Sequence, residues 1–236
     1  MAIATFYVPD LQDQIDDIQL SDEESKHALR ARRLASGTQV RLFDGQGTVA
    51  SGQLRIQSKT QACVELDSVN VENRPKTNIS IASALPKGDR QRVLIDILTQ
   101  LGIAEFIPLA CERSIVKYQE KMLSKWQRYS IEACKQSHNP FIMQCTEPRS
   151  IEQILLNNEH CYFLDQSGEP ISSVSMVLTQ CPQVTLIIGP EGGFTSDEMS
   201  LLKHSRASSL RLSQHILRTE AAAILAAGLI QALPNE

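Results

Sequence analysis

Two rhythms of apolar and polar positions run along the chain, and they change over near residue 72. Up to that point the pattern has period two. "TQVRLFDGQGTVASGQLRIQS" (38–58) and "TQACVELDSV" (60–69) alternate apolar with polar side chains, as strands with one buried face do. "ATFYVP" (4–9) opens as a further short strand, and Asp44-Gly45 supplies a tight hairpin signal. Between them "SDEESKHALRARRLASG" (21–37) predicts a helix, begun by a capping box of Ser21 and Glu24 and stopped by Gly37. Short antiparallel strands with turn residues between them suggest a small barrel.

The polar stretch "NVENRPKTN" (70–78) reads as a linker, which places a first domain at 1–72 and a second at 73–236. In the second, strand-like runs ("ISIASAL", "EFIPLAC", "CYFLDQ", "VTLIIG", "SLRLS") alternate with helical ones ("RQRVLIDILTQLG", "KMLSKWQRYSIEACKQS", "SIEQILLNNE", "SDEMSLLKHS", "TEAAAILAAGLIQAL"). Strand then helix, repeated, predicts an α/β unit whose mostly parallel sheet is covered on both faces.

Composition narrows this picture without redirecting it. Of 236 residues, 42% are hydrophobic and 21% charged, enough for a sizeable core. A net charge of −4 argues against sequence-blind coating of nucleic acid, which relies on a strongly basic surface. The six cysteines form no C-x-x-C pair, so neither a zinc site nor a disulfide frame is expected, and no metal is implied. With no membrane-length apolar run, and no secretory head in "MAIATFYVPDLQDQ", a cytoplasmic protein is expected.

The chemistry gathers at strand ends. "LIIGPEGGFTSDE" (186–198) ends a buried strand in a glycine-rich turn carrying Glu191, then enters a helix capped by Thr195 and Glu198. Ligands of parallel sheets sit at such carboxyl ends. The turn lacks the lysine and Ser/Thr of a P-loop and the G-x-G-x-x-G of a dinucleotide loop, and Glu191 would repel a phosphate. "LRLSQHILRTEAA" brings Arg218 and Glu220 to a second strand end, with Thr219 read as the cap of the last helix, and "ALPKGDR" brings Lys87 and Arg90 to a third. One shared site is the economical reading.

"IIGPEGGFTSDE", "LRLSQHILRTEAA", "LPKGDR", "ILTQLGIAEFIPLACERS", "HALRARRL" and "LFDGQG" together resemble the small-subunit ribosomal RNA methyltransferase E family. The resemblance covers nearly the whole chain. It implies a PUA-like β-barrel that binds RNA, followed by a SPOUT-type, trefoil-knotted methyltransferase domain that works as a homodimer. The implied reaction moves a methyl group from S-adenosylmethionine to N3 of a uridine in 16S ribosomal RNA, in the assembled small subunit. The implied cofactor pocket takes Leu164, Ile188, Gly189, Gly193, Leu212, Ser213, Ile216 and Leu217. Glycines at 189, 192 and 193 would then let the backbone approach the cofactor.

N3 of uracil carries a proton at neutral pH, so the site must accept it or stabilise the charge left behind. Arg218 is the candidate for charge stabilisation, and Glu191 or Glu220 for proton acceptor. His27, Arg30 and Arg33 recur every three residues and would share one helix face toward RNA; Lys87, Arg90 and Arg92 lie beside the expected pocket, with Arg113 a further candidate. The chain departs from the family pattern at Ser213 (glycine expected), His215 and Asn139 (arginine), Ala222 (threonine), Lys135 (glutamate) and Met143 (proline). The lost arginines motivate an alternative, an RNA- or ribosome-binding SPOUT relative with a different target nucleotide or little catalysis. A nucleotide-binding α/β protein is a third reading, opposed by the missing phosphate loops.

Overall fold

The structure is a computed structural model that describes residues 3–11, 17–174, 178 and 180–233. It divides into two compact units, Met1–Arg74 with Ile131–Ile142, and Pro75–Ser130 with Met143–Glu236. The return of residues 131–142 to the first unit has no signature in the linear pattern.

In the smaller unit, β1 (Ala4–Tyr7), β2 (Ile18–Gln19), β3 (Gln39–Phe43), β4 (Thr48–Ile56) and β5 (Ala62–Val71) form one sheet in the order β1-β3-β4-β5-β2. Phe6, Val40, Leu42, Leu54 and Val64 bury its inner face. The hairpin between β3 and β4 turns where Asp44-Gly45 predicts, with Asp44 Oδ1 accepting from the amides of Gln46 (2.7 Å) and Thr48 (3.0 Å). The sheet is mixed rather than antiparallel throughout, because β1 pairs parallel with β3. Parallel neighbours need a crossover, which the helix-bearing segment between them supplies.

That helix is shorter than the pattern predicts. α1 (Asp22–Lys26) passes into a π-helical turn, His27–Ala31, and Arg33 takes a left-handed φ of 51° that ends it. Gly37 instead sits in the turn toward β3, its amide donating to Leu54 O. The capping box is half formed. Ser21 Oγ accepts from the Glu24 amide, but the Glu24 carboxylate turns inward to Lys135, with Nζ 2.5 Å from Oε1.

The larger unit holds β6 (Asn78–Ser83), α2 (Arg90–Gln100), β7 (Glu105–Pro108), the start of α3 (Lys121–Ser137), β8 (Gln144–Cys145), α4 (Ile151–Asn157), β9 (Cys161–Pro170), β10 (Gln183–Ile188), α5 (Ser196–His204), β11 (Ser208–Arg211) and α6 (Thr219–Gln231). The strand order is β11-β9-β10-β6-β7-β8, and every pairing is parallel. Alternate residues serve opposite faces. Ile81, Leu186 and Ile188 join Leu94, Trp126 and Ala223 in one apolar cluster, while Ala82 and Ile187 join Ile151, Ile154 and Leu202 in another. Helices therefore cover both faces, as near-continuous apolar strands require. Among the described residues no helix is long and apolar enough to cross a membrane.

Candidate functional site

In this order β9, β10 and β11 lie side by side, and the middle of β9, where its pairing with β11 is interrupted, joins the segments leaving β10 and β11 to line a cavity of about 400 Å³. All eight residues expected to hold a cofactor, Leu164, Ile188, Gly189, Gly193, Leu212, Ser213, Ile216 and Leu217, are on its wall. Asp165, Gln166, His215, Thr219 and Ala222 also line it. Sequence reasoning assigned none of these to the pocket, naming Thr219 only as a helix cap and His215 and Ala222 only as departures from the family pattern.

Side chains stitch the three segments together. Gln166 Nε2 donates to His215 O (3.2 Å), Thr219 Oγ1 to Gly189 O (3.3 Å), and Ser213 Oγ accepts from the His215 amide (3.1 Å). Thr219 is thus the first residue of α6 and reaches back to the glycine turn, while Arg218 occupies the N-cap position predicted for it. Arg113 Nη1 donates to the carbonyls of Gly192 (3.0 Å) and Phe194 (3.2 Å), so this exposed arginine braces the glycine turn. The departures at Ser213 and Ala222 fit within the wall. Met143 is buried, and its amide donates to Ser130 Oγ (3.1 Å), a bond that proline could not make.

The three glycines of the turn differ in what surrounds them. A Cβ on Gly189 would come within 3.0 Å of the Phe194 ring, so that position is closed by the loop's own packing. Gly192 has ordinary room for a side chain, with Arg113 3.6 Å away. Gly193 has φ +69°, a conformation L residues resist, and a Cβ there would meet no protein atom. The open space at this wall position, bordered by backbone, fits a ligand that lies against the main chain.

The charged candidates separate into two groups. Arg90 Nη1 lies 3.0 Å from Glu191 Oε1 and its Nε 3.6 Å from Glu220 Oε1, so one guanidinium holds both carboxylates. Glu191 is on the cavity wall with its side chain 40% exposed; the Glu220 side chain is 12% exposed, and its buried Oε2 has no hydrogen-bond partner. Arg218 is exposed, is not among the lining residues, and makes no ion pair among the described residues.

Of the RNA candidates, Lys87 is exposed after β6, Arg90 is taken up by the two glutamates, and exposed Arg92 lies over the Tyr129 ring at 5.3 Å. In the other unit Arg30 and Arg33 are exposed, but the expected common face with His27 is not formed. The π turn and the left-handed Arg33 break the three-residue spacing, and the His27 ring packs edge-on to Phe6 at 6.1 Å. Burial, aided by Lys135, pushes the His27 pKa down.

Burial pushes the thiols of Cys111, Cys134 and Cys145 up to about 12, which leaves them poor nucleophiles. Among the described residues no group of three or more His, Cys, Asp or Glu is placed to hold a metal.

An all-parallel α/β sheet with a glycine turn lining one pocket, preceded in the chain by a small mixed β sheet, is the architecture expected from the resemblance to SPOUT-type RNA methyltransferases with a PUA-like domain. The profile of the RNA methyltransferase domain family matches residues 72–231, and that of the RNA methyltransferase PUA domain matches residues 20–67. The chain belongs to this RNA methyltransferase family. It is 27% identical to the ribosomal RNA small subunit methyltransferase E of Bacillus subtilis over 94% of this chain and 93% of that one. With the Rickettsia conorii protein of the same name it shares 29% identity, over 92% and 90%. Among solved structures, Lpg2936 from Legionella pneumophila, in complex with bound SAM, is 29% identical and superposes with a TM-score of 0.87 over 98% of both chains.

Proposed function

We propose that this chain transfers a methyl group from S-adenosylmethionine to N3 of a uridine in 16S ribosomal RNA, acting on the assembled small subunit as a cytoplasmic homodimer. Residues 1–72 would serve as the RNA-binding PUA-like domain and 73–236 as the knotted catalytic domain. One observation carries the reading: the eight wall residues expected from the family resemblance converge on a single cavity beside three neighbouring strands. The names and bound cofactor of the relatives support the same chemistry.

Bound in that cavity, the sulfonium cofactor would supply an already activated methyl group. The backbone at Ile188, Gly189 and Gly193 would hold it, with Leu164, Leu212, Ile216 and Leu217 as the apolar wall. The chain's own task is then mostly positioning, worth up to roughly 7–11 kcal/mol for well-aligned reactants. Glu191, on the wall and half exposed, is the better placed of the two carboxylates to accept the N3 proton; Glu220 is largely enclosed beside Arg90. Arg218, exposed and with no ion pair among the described residues, is available to the uracil oxygens as negative charge develops on them. The exposed apolar side chains of Leu225 and Leu229 on α6, and of Ile216, 87% exposed, support a second copy covering part of the larger unit.

Titration calorimetry with S-adenosylmethionine, followed by methyl transfer to 30S particles from a strain lacking the enzyme and nucleoside mass spectrometry, tests the proposal. A 3-methyluridine product is expected. Cofactor binding with no transfer to any RNA would favour the alternative of a binding protein, to which the outward-facing Arg218 lends some weight.

A further inference from the structure

α3 spaces Lys121, Lys125 and Arg128 at i, i+4 and i+7, which puts them on one face, and all three are exposed. Arg92, exposed in the first turn of α2, joins them through an aromatic ring. Its Cζ lies 5.3 Å from the centroid of Tyr129, and Lys125 Nζ lies 5.7 Å from the same centroid. Two cations from two helices are thus gathered at one tyrosine, an arrangement that like-charge repulsion opposes and that a ring quadrupole offsets only in part.

These four cations have no carboxylate within ion-pair distance among the described residues, whereas Arg41, Arg55, Arg90, Lys135 and Arg149 each do. Asp96 and Glu132 stand one turn on from Arg92 and Arg128 without pairing with them, and Glu132 is engaged by Lys135. In a chain with 27 acidic against 23 basic residues, four unpaired cations on one ridge form a local surplus of positive charge. Such a ridge complements a polyanion, since phosphate contacts position a nucleic acid without reading its sequence.

We propose that Arg92, Lys121, Lys125 and Arg128, arranged around Tyr129, form a ridge that docks on the phosphate backbone of the substrate RNA. This rests on the reading of the chain as a ribosomal RNA methyltransferase. The tyrosine preorganises two of the cations, and the RNA phosphates supply the missing countercharge.

The test uses the full chain carrying Arg92→Ala, Lys125→Ala and Arg128→Ala together, with binding to protein-free small-subunit ribosomal RNA measured across a KCl series. The slope of log affinity against log salt is expected to fall by about two to three, roughly one per lost phosphate contact. The KM for RNA in methyl transfer should rise about tenfold or more, with melting temperature and cofactor affinity held at wild-type values. Tyr129→Phe, which keeps the ring face, and Lys203→Ala, a lysine on another helix, should each retain the wild-type slope. A wild-type slope in the triple variant, while the unaltered enzyme transfers methyl normally, overturns the ridge and leaves the proposed function standing. Weakened binding to the assembled subunit with an unchanged slope on protein-free RNA also overturns it, because a ribosomal protein would then be the docking partner. Failure of the unaltered chain to bind cofactor or modify any RNA would sink the functional reading instead.

Discussion

Each unit contains a cation placed between two carboxylates, and the two arrangements do opposite things. In the smaller unit Lys135 Nζ lies 2.5 Å from Glu24 and 2.9 Å from Glu132, with the Lys135 and Glu24 side chains only 6% and 7% exposed. In the larger unit Arg90 lies 3.0 Å from Glu191 and 3.6 Å from Glu220, and its own side chain is 39% exposed. Charges sealed from water interact strongly but cost much to bury, so the first set is decided by desolvation. Charges screened by solvent contribute little to stability, so the second matters through what it ties together. Lys135 fastens the residues of α3 that belong to the smaller unit to α1. Arg90 fastens the glycine turn to the first turn of α6.

Breaking the sealed pair should have the largest effect. Lys135→Ala leaves Glu24 buried without its cation, and a loss of about 3–5 kcal/mol in denaturant unfolding is expected. Replacing both partners, Glu24→Gln with Lys135→Met, should recover much of it, since a neutral pair of similar volume leaves no buried charge to desolvate. Unchanged stability in Lys135→Ala would show that the pair is not sealed in solution.

The pH dependence of that variant follows from the direction of two shifts. Burial pushes the Glu24 carboxyl above its usual value even with Lys135 beside it. A folded-state pKa raised in this way favours the fold below the unfolded value and loses that contribution as pH rises through the folded one. The cost of Lys135→Ala should therefore shrink on acidification, as Glu24 takes up a proton. Burial opposes charge on Lys135, but the bonds to Glu24 and Glu132 outweigh it and hold its pKa above the ordinary lysine value. Its contribution persists at neutral pH and is lost as pH climbs through that raised value. Lys135→Ala should accordingly flatten the alkaline limb of the stability profile above about pH 10.

Breaking the open arrangement should invert the balance between stability and binding. Arg90→Ala is expected to change unfolding free energy by no more than about 1 kcal/mol. Cofactor affinity by titration calorimetry should fall roughly tenfold, which corresponds to about 1.4 kcal/mol. Arg90→Lys, able to reach one carboxylate at a time, should recover part of the affinity. Equal losses of stability and affinity in Arg90→Ala would remove the distinction between the two units.

The same contrast explains what the sequence could disclose. The limits of α3, the alternation of strand and helix, and the glycine and polar turns at strand ends are local, and periodicity or turn chemistry reports them directly. A cavity beside β9, β10 and β11 follows from parallel pairing once those strands are marked. The Glu24 partner of Lys135 and both partners of Arg90 are not local. Glu24 precedes Lys135 by more than a hundred residues, and Glu191 and Glu220 follow Arg90 by as much, so no window of sequence contains either arrangement. The π turn escaped for another reason: "HALRA" has ordinary helical composition, and the widened turn followed by a left-handed arginine carries no compositional mark.

The smallest effect concerns the turn that Arg90 holds. Gly193→Ala introduces no clash, since a Cβ there meets no protein atom, and its cost is the strain of an L residue at φ +69°. That amounts to about 1 kcal/mol of stability. Gly192→Ala has ordinary room and no such backbone demand, so it should be close to neutral by the same measurement. The pair separates backbone strain from ligand contact. If Gly193 serves only the turn's conformation, cofactor affinity will follow the modest stability loss. If the open space beside it receives the cofactor, the added methyl will intrude there, and affinity will fall further than strain alone requires. An affinity loss in Gly192→Ala as large as in Gly193→Ala would mean that the cofactor approaches the turn from a different side than the cavity wall indicates.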